Sequence, residues 1–402
     1  MALAALISAY HEDSAPGDGL RATLPLAGRT LIERQARLAA SAGAAPIVIL
    51  VERMPAELLA AVDRLRSEGV PVKIARSVSE AADSVHPDDR LLLLADGFVA
   101  DESHVARVAA AEGPILLTVA DQASDERFER IDAQSRWAGV AALDGNMLKS
   151  TAAMLGEWDL QSTLLRRVIQ AGARQFALRG ESADDRLTIA ETGDDLAEVE
   201  ASILGGAADL RRDWVSRWLL APVERLATQL LMPTAVSPEW LRITAAVLTG
   251  LGAFLFARQW IWPGLIVLLV ATPLDGTAER LATLRMQPAT ARGWAGLVLP
   301  VLGAAALLAL GIALGETRGW GCIVLAAATV AFMIALRQEL EGESGLDRTF
   351  LAERKAMTWL LLPFAIGGVW VVGLSVLAAY AAGSFFWVQR LLHRRKPAKV
   401  QD

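Results

Sequence analysis

Hydrophobic and polar positions are arranged differently in the two halves of this chain. Up to about residue 235, short apolar runs alternate with segments of helical period. Residues 3–9 form a continuous apolar run that stops at the polar stretch His11-Glu12-Asp13-Ser14, which predicts a buried strand. Residues 30–43 repeat apolar side chains at Leu31, Ile32, Ala36, Leu38 and Ala39, the spacing of a helix. A second strand is expected over 46–51, a helix over 55–68 closed by Gly69, and a third strand over 72–75. A helix over 77–85 and a fourth strand over 91–95, ending at Asp96-Gly97, follow. Strands and helices alternating at this spacing predict an α/β domain with a mainly parallel sheet. Such sheets bind ligands at the carboxyl ends of their strands, where the loop after the first strand and Asp96 both fall. Further on, 126–132 and 136–141 read as a hairpin, 148–156 and 161–172 as helices. The acidic stretch 181–209 reads as a solvated helix over 194–204 and a linker.

From residue 243 the pattern changes to long apolar runs: 243–256, 261–274, 294–314, 320–336 and 357–392. A membrane-spanning helix needs about 20 predominantly apolar residues. The first two runs reach that length with their flanking Trp240, Leu241, Trp260 and Thr272, and the last is long enough for two spans broken near Gly367-Gly368. The expectation is an all-α domain of six transmembrane helices. Ahead of it, 210–231 interleaves Arg211, Arg212, Arg217 and Arg225 with Trp214, Trp218, Leu226 and Leu230. That composition suits a helix lying in the membrane interface, or one packed on the membrane domain. The domain boundaries expected are 1–180 for the α/β domain, 181–209 for the acidic helix and linker, 210–235 for the interfacial helix and 236–402 for the membrane domain with a basic tail.

Charge sets the orientation. With a cytoplasmic N-terminus, the inner loops carry Arg280, Arg285, Arg292, Arg337, Arg348, Arg354 and Lys355, and the tail adds Arg390, Arg394, Arg395, Lys396 and Lys399. The outer loops carry only Arg258 and Arg318. This bias predicts a multi-pass protein of the inner (cytoplasmic) membrane, with both termini cytoplasmic and an even number of spans. Ten of the twelve tryptophans fall at or after Trp214, several of them flanking apolar runs, as an interfacial belt would have them. A net charge of −6 argues against nucleic acid as a partner. The single cysteine, Cys322, cannot form an intrachain disulfide, and His11, His86, His104 and His393 make no ligand-spaced pair. Residues 1–10 lack a basic start and read as a buried strand, not a leader.

Two motifs suggest chemistry. Gly17-x-Gly19-Leu20-Arg21, then Pro25-Leu26 and Gly28-Arg29-Thr30-Leu31-Ile32-Glu33-Arg34, resemble the GT-A-like nucleotidyltransferases that join a sugar or alditol phosphate to a nucleotide. The resemblance implies that loop amides near Gly17, Gly19 and Arg21 cradle nucleotide phosphates and that Asp96 helps hold magnesium. The sequence departs from the family in an acidic loop (Glu12, Asp13, Asp18) and in Leu24, where the family has a lysine. An ordinary tight turn in a scaffold without activity is the competing reading.

In the apolar half, Asp275-Gly276 and Arg280 close the second run, where the sequence puts a helix at the cytoplasmic interface. A carboxylate there is a functional-site candidate, with a helix end carrying ordinary snorkelling charges as the plain alternative. The stretch resembles the CDP-alcohol phosphotransferases, whose motif runs Asp-x-x-Asp-Gly-x-x-Ala-Arg, then a glycine and two further aspartates. The resemblance implies a divalent ion such as Mg2+ at Asp275 and CDP-alcohol phosphates at Asp275, Gly276 and Arg280. Thr272, Glu279, Ala289, Gly293 and Leu297 stand at the other motif positions, so three of the four aspartates are missing. The pairing of halves resembles bifunctional enzymes that make CDP-inositol and transfer inositol phosphate. Two functions stay open. One is a transferase of polar-lipid synthesis that moves an alcohol phosphate onto a lipid or phosphorylated acceptor. The other is a catalytically degenerate relative that binds lipid or nucleotide as a subunit of that pathway. Implied partners are a membrane lipid, a nucleotide or CDP-alcohol, and a second copy or pathway protein.

Overall fold

The computed structural model describes residues 2–14, 19–121, 127–156, 158–178, 187–206, 213–232, 234, 236–286, 295–340 and 349–395. The chain divides into two compact units, Met1–Leu204 with Arg285–Gln287, and Gly205–Leu284 with Pro288–Asp402.

The first unit is built on a seven-stranded sheet. Its strands are β1 (Leu3–Ser8), β2 (Ile47–Leu50), β3 (Val72–Ala75), β4 (Arg90–Leu94), β5 (Ile115–Ala120), β6 (Ser135–Asp144) and β7 (Arg174–Ala177), in the order β7-β5-β6-β4-β1-β2-β3. All pairings are parallel except those of β6, which runs antiparallel to both β4 and β5. Flanking helices are α1 (Leu31–Ser41), α2 (Ala56–Ser67), α3 (Val78–Asp83), α4 (Glu102–Ala110), α5 (Gly145–Ala152), α6 (Leu160–Gln170) and α7 (Gly193–Gly206). The core fills both faces of the central strands: Leu6, Ile7, Ile47, Ile49, Leu92, Leu93, Val140 and Ala142 are fully buried. This is why β1, β2 and β4 read as unbroken apolar runs instead of alternating ones.

The expected hairpin over 126–132 and 136–141 forms in part: an antiparallel bridge joins Arg130 to Arg136, and the Trp137 N–H is donated to the Glu129 carbonyl at 2.7 Å and the Ile131 N–H to the Ser135 carbonyl at 3.0 Å, while the second segment runs on as β6, an internal strand of the sheet. Trp137, fully buried, donates its indole N–H to the Val140 carbonyl at 3.0 Å, so it is a core residue.

α1 begins at a capping box: the Thr30 side chain takes the backbone N–H of Glu33, and Glu33 takes the backbone N–H of Thr30 at 2.9 Å. Glu33, fully buried, also accepts from Arg64 at 2.9 and 3.1 Å and lies against Arg29 and Arg37. Burial alone would raise its pKa. The bonds from Arg64 and Thr30 and the charge of Arg37 outweigh that and hold it at about 2. The segment 28–34 therefore has a structural use in this chain: it starts α1 and anchors a buried ion cluster.

The second unit is helical: α8 (Ala221–Leu231), α9 (Pro238–Ala257), α10 (Ile261–Leu284), α11 (Ala295–Arg318), α12 (Gly321–Leu340), α13 (Arg354–Ile366) and α14 (Trp370–Arg395). Among the described residues five of these, α9, α10, α11, α12 and α14, are long and apolar enough to cross a bilayer, against the six spans expected. The sixth helix, α13, has 13 residues. That is about 20 Å of rise against a hydrocarbon core of about 30 Å. The break before α14 comes where expected, with Gly368 at φ +70°. The chain is a multi-pass membrane protein.

α8 presents Val223, Leu226 and Leu230 outward and buries Glu224 and Thr228. It is amphipathic with its polar stripe turned in, toward α10.

Candidate functional site

At the carboxyl edge of the sheet, Asp96 follows β4 and is 3% exposed. Its Oδ2 accepts from the backbone N–H of Tyr10 at 3.1 Å and of His11 at 2.9 Å, and the His11 Nδ1 lies 3.2 Å away. These donors come from the chain leaving β1, the neighbour of β4, so the sheet register brings the two together. Asp96 Oδ1 is buried without a hydrogen-bond partner among the described residues. The bond to Asp96 raises the pKa of His11, with burial opposing it. Beside this pair the Tyr10 hydroxyl donates to Asp159, and Gln161 accepts from the Asp96 backbone N–H at 3.2 Å. The loop after β1 folds back on itself, with Glu12 bridged to Leu20 and the Asp13 N–H donated to the Gly19 carbonyl at 3.0 Å. A Cβ on Gly19 would run into the Asp13 Oδ2, so any larger residue there would push the Asp13 carboxylate aside. Arg21 pairs with Glu191 at 3.2 Å and donates to the Glu12 carbonyl at 3.1 Å. Gly17 lies outside the described residues.

Asp96 Oδ2 is taken up by two backbone N–H groups and the His11 ring, its buried Oδ1 has no partner among the described residues, and among those residues no group of three or more His, Cys, Asp or Glu is placed to hold a metal ion. His11, about 40% exposed and oriented by Asp96, is a group that sequence reasoning passed over. The only signal for it was its place just after β1.

In the membrane unit the Asp275 motif lies within α10, which runs ten residues past the expected end at 274. Pro273 has no N–H to give the Leu269 carbonyl one turn earlier. The Thr272 hydroxyl donates to that carbonyl instead, at 2.8 Å, and accepts from the Trp359 indole on α13, also at 2.8 Å. Thr272 thus repairs the helix and ties it to α13. Asp275 is ion-paired with Arg354, and the Lys355 ammonium lies 3.9 Å from the same oxygen and 3.7 Å from Glu279. Arg280, 5% exposed, faces the buried Glu224 of α8 at 3.2 Å. Gly276 makes that approach possible: a Cβ there would lie 2.5 Å from the Glu224 carboxyl carbon.

The three predicted positions, Asp275, Gly276 and Arg280, therefore do lie together, in a network of protein charges. Asp275 and Glu279 face Arg354 and Lys355, and Glu224 faces Arg280. A divalent ion does not fit Asp275. It would need several oxygen ligands, whereas the carboxylate is the partner of two cations and the neighbouring motif position, Thr272, already uses its hydroxyl. Glu224, Arg354, Lys355 and Trp359 were not singled out by the sequence as site residues. Arg354 and Lys355 count there as ordinary positive-inside charges. Glu224 carried a weak signal, a carboxylate four residues before a threonine on an otherwise apolar helix face.

No family model matches this chain, and no curated protein matches it. Among solved structures it is similar to a putative glucose-1-phosphate thymidylyltransferase from Bacillus anthracis in complex with a sucrose. The two share 15% identity over 50% of this chain and 94% of that one, with a TM-score of 0.39. That is a distant likeness to a nucleotidyltransferase-fold protein.

Proposed function

We propose that this protein is a catalytically degenerate counterpart of the fused nucleotidyltransferase and CDP-alcohol phosphotransferase enzymes, acting as a lipid-binding subunit of polar-lipid synthesis in the cytoplasmic membrane. The observation that carries this reading is the pairing of Asp275 with Arg354 and Lys355. In the family it resembles, that carboxylate would face other carboxylates across a pair of divalent ions. Here protein cations supply the compensating charge, and Leu297 stands where the last aspartate would deprotonate the acceptor alcohol. In this reading α13 is the fifth of six crossings, short by about a third, because the Lys/Arg asymmetry asks for an even number with both termini inside.

The test is a transfer assay on the full chain in vesicles with CDP-alcohols, magnesium and lipid acceptors, beside Asp275→Asn. The expected result is no transfer by either protein. Transfer that disappears in Asp275→Asn refutes the reading.

A second reading keeps the α/β unit as a working nucleotide site. It is favoured by the position of His11, oriented by Asp96 at the strand ends where such sheets bind ligands. CTP binding lost in Arg21→Ala and retained in Asp275→Asn would support it.

A further inference from the structure

The membrane unit contains a cavity of about 730 Å3. Its walls come from α9, α10, α11, α12 and α13, with Leu377 of α14, and are mostly apolar, with Phe256, Leu265 and Leu310 among them. Three features say what fills it. The first is its length. Lining residues follow α11 from Gly296 to Leu310, about 21 Å of helix rise, which exceeds the roughly 15 Å of one leaflet, half of a core of about 30 Å. The second is its opening. Leu297, Val301 and Ile334 line it and are also 55%, 63% and 53% exposed, so the cavity gives sideways onto the outer surface between α11 and α12. In a bilayer that surface meets hydrocarbon, not water. The third is its charged end. Arg337 and Arg354 line the end where α12 finishes and α13 begins, with Gln338 and Glu353 beside them. The guanidinium of Arg337 donates to the Gly296 carbonyl at 3.4 Å, and that of Arg354 reaches Asp275.

We infer that this cavity holds one hydrocarbon chain of a phosphate-bearing anionic bilayer lipid, entered from the side between α11 and α12, with the lipid phosphate against Arg337. Arginine presents five N–H donors, so it can serve the Gly296 carbonyl and a phosphate together. Arg354, held by Asp275, closes the same end. A soluble apolar ligand would have to cross this charged end, whereas a lipid brings its own anion to it. The inference rests on the lipid-binding part of the proposed function and names its ligand. It does not depend on whether transfer activity is lost.

The test uses the full chain in nanodiscs of equal phosphatidylglycerol and phosphatidylcholine, followed by extraction in mild detergent and native mass spectrometry of the retained lipid. The expected result is retention of phosphatidylglycerol over phosphatidylcholine by about tenfold: both offer the phosphate, but choline brings a cation to the end lined by Arg337 and Arg354, whereas phosphatidylglycerol keeps a net negative charge there. Arg337→Gln should bring that ratio near unity. Ala304→Phe, which fills the cavity wall, should lower retention of both lipids. If Ala304→Phe does not fold, Val301→Trp at the opening is the second variant. Equal retention of the two lipids by the wild type, no retained lipid, or unchanged retention in the folded cavity variant would each overturn the inference. Because the readout is retained lipid, a negative result here leaves the transfer assay above to judge the loss of catalysis separately.

Discussion

Replacing Gly276 by alanine probes the Glu224–Arg280 pair with a single methyl group. Three effects compete. An alanine in a helix interior is worth about 1 kcal/mol over glycine. Against this, the new Cβ would lie 2.5 Å from the Glu224 carboxyl carbon, where ordinary contact begins near 3.4 Å. The carboxylate must retreat by roughly an ångström, and overpacking of this kind costs about 1–3 kcal/mol. The retreat also stretches the ion pair from 3.2 Å. At an effective dielectric near 20, moving it to about 4.4 Å lowers the attraction from about 5.2 to about 3.8 kcal/mol, a loss of about 1.4. The net expectation is a destabilisation of roughly 1.5–3.5 kcal/mol. Gly383→Ala is the control: nothing lies within 4 Å of its added Cβ, so it should be neutral or stabilising. The assay is built into the chain. Cys322 is its only cysteine and is buried, so its rate of modification by a thiol reagent reports opening of the membrane unit. A loss of 2 kcal/mol should speed labelling about 30-fold where reclosing outpaces labelling. Glu224→Gln alone should cost about 3–5 kcal/mol by stranding Arg280. On that background Gly276→Ala should lose its electrostatic part, a coupling of about 1.4 kcal/mol. If Gly276→Ala behaves like the Gly383 control, or adds fully to Glu224→Gln, the packing argument is refuted.

Three further outcomes follow from the same geometry. Glu33 has a depressed pKa, so its stabilisation is complete above the unfolded carboxylate range and is lost as pH falls toward about 2. The difference from its ordinary value of 4.5 corresponds to roughly 3 kcal/mol. Acid unfolding of the α/β unit followed by circular dichroism should therefore steepen between these values, and Glu33→Gln should remove that steepening. His11 has the opposite sign: its stabilising pair with Asp96 is complete below about 6.5 and is lost as pH rises through the raised value. The imidazole resonance assigned with His11→Gln should titrate above the ordinary histidine range, and in Asp96→Asn it should return toward it. Thr272→Val removes both the donor to Leu269 and the acceptor for Trp359, and should cost about 1–3 kcal/mol in the Cys322 labelling assay.

Where local pattern decides structure, the sequence was readable. β1, β2 and β4 carry continuous apolar signatures bounded by polar residues, and five of the helices built from the runs after 243 are long and apolar enough to cross a bilayer. The position of β6 was not readable, because inserting it antiparallel between β4 and β5 depends on which strand edges are open, and no residue of 135–144 encodes that. Nor was α10's extension past Leu274. A carboxylate and an arginine look like an end until Glu224, Arg354 and Lys355, all distant in sequence, neutralise them within the fold. In the same way Thr272 looked like a lost aspartate. Only the conformation of Pro273 and the reach of Trp359 give its hydroxyl two partners.

The pairing of Asp275 with Arg354 also sets an order of assembly. The two residues are 79 positions apart. At a synthesis rate of about 5–20 residues per second, Asp275 is made roughly 4–16 s before its partner. During that interval α11 and α12 must be threaded while the C-terminal part of α10 carries a carboxylate that hydrocarbon would reject. The α9–α10 hairpin is therefore provisional at that end, kept near water and open to the insertion machinery, and it becomes committed only when α13 delivers Arg354 and Lys355. A nascent chain truncated before α13 should leave α10 open to extraction, while one truncated after it should hold.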